Sequence, residues 1–251
     1  MPQAGGMAHP DPKANPWRNQ RIGITGARGA LGQALTAHFR SKGAHVTGLT
    51  HSPPPAPEPD AGPHQWLQWT SGQEEALLED LRHLDLLVLN HGINPQGLQS
   101  PDALTHSIEI NALSSWRLIQ LFERCTADDP DARPREIWVN TSEAEIQPAI
   151  SPAYEISKRL IGQLVSIHGA VRPREDRERL RLRKLVLGPF RSDLNPIGVM
   201  TAGFVAQQIL WQAGLGLRLI IVSPNPLTYV LMPVTELGRR LYSSVLNPPG
   251  R

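Results

Sequence analysis

Between Arg21 and Thr50 the chain runs strand, glycine turn, helix, strand, and few folds accept that order. Arg21-Ile-Gly-Ile-Thr25 reads as a short strand, and Thr25-Gly-Ala-Arg-Gly-Ala-Leu-Gly32 as the turn that leaves it. Residues 30–41 carry Leu31, Leu35 and Phe39 at helical spacing, Gly43 stops the helix, and residues 44–50 form a second strand. This is the opening of a βαβ unit, which requires a parallel sheet. Glycines in such a turn permit a tight bend. They also let backbone approach a pyrophosphate whose charge meets the helix N-terminus.

The alternation continues to residue 222. Strands are expected at 65–69, 86–90, 136–142, 183–188 and 217–222, with helices at 74–84, 104–125, 154–168 and 201–212. The run Leu86-Leu-Val-Leu-Asn90 is apolar almost throughout, as suits a parallel strand covered on both faces. The expected fold is therefore α/β: a single Rossmann-type doubly wound parallel sheet in three α/β/α layers. Right-handed crossovers then place the strand ends Gly26, Asn90, Ser142 and Gly188 along one ligand-binding edge. Prolines 2, 10, 12 and 16 mark residues 1–19 as a disordered or extended tail, and a second proline cluster makes residues 51–63 a stiff surface loop. Residues 20–223 are read as the nucleotide-binding domain with its active site. Residues 224–251 are read as a C-terminal extension with an amphipathic helix from residue 236 to 246.

Composition excludes several functions. A formal charge of +2, with basic residues dispersed, is too mild for a nucleic-acid surface. The single cysteine, Cys125, allows no internal disulfide, suggests no metal cluster, and suits a reducing compartment, so a cytoplasmic location is expected. No leader-like apolar core is seen at the start, and no apolar stretch approaches the roughly 20 residues that span a bilayer.

The chemistry concentrates at Tyr154-Glu-Ile-Ser-Lys158. A tyrosine with a reference pKa near 10 is a weak acid, but a lysine four residues on shares its helical face, and its charge favours the phenolate.

Taken together, these motifs resemble the short-chain dehydrogenase/reductase family over roughly residues 20–223. Thr25–Gly32 is similar to its TGxxxGxG cofactor loop, Asn90-His-Gly92 to its NAG motif, and Asn111 to its helix asparagine. Tyr154 and Lys158 match its YxxxK pair, and Leu187-Gly-Pro-Phe190 resembles the segment after the sixth strand with proline and glycine inverted. The C-terminal segment from Pro224 resembles an extension found in cyanobacterial members of unassigned substrate. The resemblance implies an NAD(P)-dependent oxidoreductase that interconverts a ketone or aldehyde and an alcohol by hydride transfer. In it Tyr154 exchanges the proton, Lys158 tunes Tyr154 and holds the nicotinamide ribose, and Asn111 supports a proton relay. Gly26, Arg28, Gly29, Leu31, Gly32, Asn90, Gly92, Gly188 and Pro189 are the implied cofactor contacts, with no metal. Arg28, together with Thr50, His51 and Ser52 in place of a ribose-binding acid, favours NADP(H); NAD(H) remains possible.

One catalytic position stays open. The family places a serine after the fifth strand, and here the chain reads Asn140-Thr-Ser-Glu143. Alignment through the strand puts Glu143 there, and alignment from Tyr154 puts Thr141 there. Ser142 falls between them and is the preferred residue. A glutamate in the pocket would raise the tyrosine pKa. The third strand also ends in Trp69-Thr-Ser71 where the family has an aspartate near adenine. Beyond Pro189 only a short segment precedes residue 201, so an open cleft is expected, with His91 and Arg191 as possible substrate contacts. The implied partners are a small carbonyl or alcohol and a second or further copies of the chain, as dimer or tetramer, with a peripheral membrane contact through the extension as a weaker possibility. The alternative is a non-catalytic NAD(P)-binding protein on the same fold. It is separated from the enzyme by whether a hydroxyl converges with Tyr154.

Overall fold

A computed structural model describes residues 15–56, 61–96, 100–127 and 133–246. Strand β1 (Arg21–Thr25) leads through the glycine turn into helix α1 (Ala30–Ser41), which returns to β2 (His45–Thr50). Leu31, Leu35 and Phe39 are the buried stripe of α1. The helix closes on Gly43, whose φ of 76° is comfortable only for glycine, while the Ala44 amide reaches back to the Phe39 carbonyl (3.1 Å).

The chain continues through β3 (Gln65–Gln68), a 3₁₀ turn (Glu74–Leu77), α2 (Leu78–Arg82) and β4 (Leu86–Leu89). Helix α3 (Pro101–Ile108) starts under a Ser100 cap, passes through a π-helical turn (Glu109–Leu113) and continues as α4 (Ser114–Ala127). Then come β5 (Arg135–Ser142), a 3₁₀ turn (Glu143–Glu145), α5 (Pro152–Val171), α6 (Arg174–Arg179), β6 (Leu180–Leu187), α7 (Ala202–Gly214), β7 (Leu219–Val222) and α8 (Thr228–Leu246).

Every strand pairing is parallel and the order is β3-β2-β1-β4-β5-β6-β7. Chain order reverses between β1 and β4, which opens the crevice where doubly wound sheets take ligands. The strands feed two apolar layers with period two. Leu86 and Val88 join the layer under α1 and α7, whereas Leu87 and Leu89 join the layer under α2, α4 and α5.

Three expectations are corrected. Residues 15–19, read as tail, are folded. Trp17 packs edge-on against Phe39 and Trp138, and Asn15 donates to the Lys42 carbonyl (2.6 Å). Burial of that indole outweighs the proline-rich composition beside it; residues 1–14 lie outside the described residues. The second correction is the π-helical turn inside the expected helix at 104–125, which periodicity alone does not reveal. The third concerns α8, which begins eight residues before the expected Glu236 and runs through Pro233. A helix ordinarily breaks at proline. Here Thr228, Met232 and Glu236 face inward at four-residue spacing, and Met232 packs on Val186 and Ile221.

Candidate active site

The glycine turn has little room for side chains. Gly26 has φ of 64° and a Cβ there would stand 2.9 Å from the His91 Cα; a Cβ on Gly32 would stand 2.3 Å from the Gly26 carbonyl. Gly29 is the extended residue that precedes α1, with no side-chain cap on that helix. The first amides of α1 are thus left for an external acceptor, and the cradle fits the pyrophosphate of a dinucleotide. Leu31 contributes backbone alone at this point, because its side chain is buried in the apolar layer.

At the end of β2 the Arg28 guanidinium donates to the Ser52 hydroxyl (2.6 Å), and the Ser52 amide donates to Thr50 Oγ1 (3.3 Å). This joins Arg28, Thr50 and Ser52 in one polar group of the kind that suits a phosphate monoester. His51 departs from it. Its ring lies on Trp69 with centroids 4.1 Å apart, and burial is the main cause holding its pKa below the ordinary value. Trp69 itself is buried and packs into the protein.

Asn90 braces the edge of three strands. Its amide nitrogen donates to the Gly26 carbonyl (3.4 Å), its side-chain oxygen accepts from Asn140 (2.9 Å), and its backbone N–H donates to Thr25 (2.9 Å). His91 is buried and does not face a substrate. Nδ1 pairs with the Thr25 hydroxyl at 2.8 Å, and Nε2 lies 3.5 Å from Ser115. Desolvation, reinforced by His51 and Lys158, pushes its pKa down to about 3, so the ring is neutral. Arg191 is exposed.

The Ser151 hydroxyl accepts from the Tyr154 amide at 3.4 Å, and Pro152 occupies the first helical position of α5. These caps fix Tyr154 in the first turn, facing the end of β5. The Ser142 hydroxyl lies near enough to the phenol to act on its pKa. Burial raises the Tyr154 pKa above 10.0; the Ser142 hydrogen bond works against that shift and the Glu143 charge adds to it. Lys158 Nζ stands 5.8 Å from the phenol ring centre and donates to the Asn140 carbonyl (3.2 Å). Burial brings Lys158 down to about 8, with Glu145 opposing the change.

Asn111 sits in the π-helical turn. It accepts from the Ile93 amide (2.7 Å) and donates to the Ile93 carbonyl (2.9 Å) and to Ser157 (2.9 Å), whose hydroxyl donates to the Tyr154 carbonyl (2.8 Å). Gly92 makes room for it, since a Cβ there would lie 2.9 Å from Asn111 Oδ1 and 3.9 Å from Lys158 Nζ. Ser157, which the sequence reading passed over, is thereby the link between Asn111 and the tyrosine turn.

The three candidates after β5 separate. Thr141 is 1% exposed and its hydroxyl donates to the Leu185 carbonyl (3.1 Å), so the neighbouring strand engages it. The Ser142 hydroxyl accepts from the Ala144 amide (3.2 Å) and acts on the Tyr154 phenol. The Glu143 carboxylate accepts from Ser223 and, at 3.4 Å, from Thr228. Gln147 donates to Thr228 (2.9 Å) and accepts from Asn225 (2.8 Å), so the segment after β7 closes over this turn. Gly188 also serves that segment: a Cβ on it would lie 2.7 Å from Pro224 and 2.9 Å from Ser223. Pro189 accepts from the Val199 amide (3.1 Å) through its carbonyl, which ties the segment after β6 together. Among the described residues no three His, Cys, Asp or Glu side chains assemble as a metal would need, and no helix is long and apolar enough to cross a membrane.

The fold is that of short-chain dehydrogenases. The short chain dehydrogenase from Burkholderia cenocepacia J2315, crystallised with NADP, superposes with a TM-score of 0.71 at 16% identity, covering 93% of this chain and 99% of that one. The NADPH-dependent 3-quinuclidinone reductase from Rhodotorula rubra superposes with a TM-score of 0.71 at 17% identity, covering 89% and 97%. In sequence the chain is 38% identical over 228 residues to monoglucosyldiacylglycerol epimerase from Synechocystis sp., which covers 90% of this chain and 54% of the relative. The chain therefore spans about half the length of that relative. The model of the NAD dependent epimerase/dehydratase family matches residues 22–168, more than half of the chain and inclusive of the glycine turn, Ser142, Tyr154 and Lys158. The chain belongs to the NAD dependent epimerase/dehydratase family.

Proposed function

We propose that the protein oxidises and reduces a secondary alcohol carbon using NADP(H), with Tyr154 exchanging the hydroxyl proton. The feature that carries this reading is that Ser142 acts on the Tyr154 phenol while Thr141 is engaged by Leu185 and Glu143 by Ser223, since two hydroxyl groups near one point can hold one carbonyl oxygen between them. Gly26, Gly29 and Gly32 would cradle the pyrophosphate, and Arg28 with Ser52 would take the 2′-phosphate. When bound, NADP(H) gives or receives the hydride. The remaining work falls to the chain. Ser142 hydrogen-bonds the substrate oxygen and orients it. Tyr154, a protonated phenol at neutral pH, gives its proton to that oxygen during reduction and takes one back during oxidation. Lys158 holds positive charge beside the phenol below about pH 8. Asn111 and Ser157 position the turn that carries Tyr154.

The relationship to the glycolipid epimerase favours a particular use of this chemistry, inversion of one carbinol carbon of a hexosyl group. Oxidation would give a ketone, and return of the hydrogen to its opposite face would give the epimer with no net redox change. The test is to incubate purified protein with NADP⁺ and a glucoside, and to follow both the reduced nicotinamide absorbance and the sugar configuration by NMR. Net oxidation supports a dehydrogenase and epimer formation supports an epimerase. If neither is seen, with glucosides and with a panel of ketones and NADPH, while NADPH binding is retained, the non-catalytic alternative stands.

A further inference from the structure

The outward face of α8 is apolar along its whole described length. Leu227, just before the helix, and Val230, Val234, Leu237 and Leu241 within it recur at three- and four-residue spacing and are all exposed, Val234 at 63%. Glu236 and Arg239 of α8 turn inward, while Arg240 is exposed beside the stripe. Glu236 accepts from Lys184 (2.7 Å) and Ser166 (2.5 Å), and Arg239 donates to Gln163. Glu236 is the only acidic residue of the helix, and it is turned inward, so the outer face carries no negative charge.

This stripe starts at the mouth of the candidate site. Thr228 reaches Glu143 and Gln147, and the neighbouring strand ends contribute Ile150 after β5 and Ile197 and Val199 after β6, all highly exposed. Three adjacent strands thus each send an apolar loop to the same rim. In the second half of α8, Arg240 joins Arg177 and Arg218 at a small crevice of about 50 Å³ that Glu236 and the buried Arg172, paired with Glu123 (3.0 Å), also line. Arg218 is held below its ordinary pKa, first by desolvation and then by the neighbouring arginines. An apolar stripe without acidic residues, ending in clustered guanidinium groups, is the chemistry of a helix lying in the interface of an anionic bilayer.

We propose that α8 and the apolar loops at its start seat the protein on an anionic lipid surface, with the candidate site opening toward the headgroups. This rests on the reading above in its lipid-borne form, since a glycosyl lipid presents its sugar at that depth. The occupant is a bilayer rather than a second copy, because the exposed surface of α8 carries Arg240 and no carboxylate, so it complements an anionic surface and offers a second copy of itself no opposite charge.

The experiment is flotation of the full chain with phosphatidylcholine vesicles, with and without phosphatidylglycerol. Flotation with the phosphatidylglycerol vesicles, weakened by salt, is expected. Val234→Glu with Leu237→Glu should lower partitioning by about tenfold or more, a loss of at least about 1.4 kcal/mol. Both side chains are exposed, so thermal stability should be unchanged, and this is checked in parallel. No flotation of wild type, or equal flotation of the double variant, overturns the proposal. So does a dimer in light scattering that the double variant dissociates, since the stripe would then be a subunit contact. Turnover of a water-soluble glucoside is measured separately on the same preparations. Turnover without flotation removes the membrane proposal alone, and flotation without turnover removes the catalytic reading alone.

Discussion

The Ser223 hydroxyl donates to the Glu143 carboxylate across 80 residues of chain. That bond holds the Glu143 side chain on the segment after β7, while Ser142 acts on the Tyr154 phenol. Glu143 still acts on the phenol through its charge, which raises the Tyr154 pKa. Glu143→Gln removes that charge, so the Tyr154 pKa should fall. In the oxidative direction, which needs the phenolate, the pH at which kcat/KM reaches half its alkaline plateau should move down. An unchanged pH–rate profile would show that the carboxylate has no hold on the phenol.

Tyr154→Phe removes the proposed proton donor and Ser142→Ala the hydroxyl proposed to act with it. General acid catalysis contributes about 10²–10⁴-fold, and loss of one oxyanion donor costs about 10²–10³-fold. The tyrosine variant should thus lose the larger part of kcat while binding of NADPH, followed by its fluorescence, changes little. Thr141→Val should leave kcat near wild type, since that hydroxyl is committed to Leu185.

Arg28→Ala should weaken NADPH binding by one to two orders of magnitude, roughly the 1.5–3 kcal/mol of a charge-assisted hydrogen bond, and leave NADH binding almost unchanged. Titration of both nucleotides into wild type and variant measures this. Equal loss for both would mean that Arg28 shapes the turn and does not read the phosphate.

Lys184 stands between Glu145 (2.6 Å) and Glu236 (2.7 Å), with Ser166 (2.8 Å) and the Gly162 carbonyl (3.1 Å) completing its shell. Burial pushes the Glu145 carboxyl above the usual carboxylate range, with Lys184 as the main opposing influence. Lys184→Met strands the carboxylates and should cost about 3–5 kcal/mol in denaturant unfolding. Adding Glu145→Gln to it should restore part of that loss, and strict additivity of the two changes would argue against direct coupling.

His91 gives a pH dependence of stability. Its folded pKa, about 3, lies below the ordinary 6.5, so between those values the unfolded chain binds a proton that the folded protein refuses. Stability is full above pH 6.5 and falls as pH drops toward 3, at about 1.4 kcal/mol per pH unit from this group. Against this background, His91→Gln should flatten the acid limb of a urea-midpoint series. An equally steep limb in the variant would place the acid sensitivity elsewhere.

Local pattern carried the sheet and half of the site. A buried parallel strand must be apolar throughout, and Leu86–Leu89 is; a pyrophosphate turn must be free of Cβ atoms where Gly26 and Gly32 sit, and both are glycine. Ser151 and Pro152, which cap the helix of Tyr154 and Lys158, are equally local features. Asn111 lay where periodicity predicted plain helix, because the extra residue of a π turn leaves no mark on spacing. The fold of residues 15–19 was hidden because one buried tryptophan outweighed the composition around it.

The sequence by itself determined the order of strands and helices, the glycine cradle and the tyrosine–lysine spacing, since each follows from residues a few positions apart. Only the tertiary structure gave Thr141, Ser142 and Glu143 separate partners, laid His51 on Trp69, buried His91, and carried α8 through Pro233. Those outcomes depend on partners distant in the chain (Leu185, Ser223, Trp69, Thr25 and Met232), and neither spacing nor periodicity encodes which side chains a fold brings within hydrogen-bonding or packing distance.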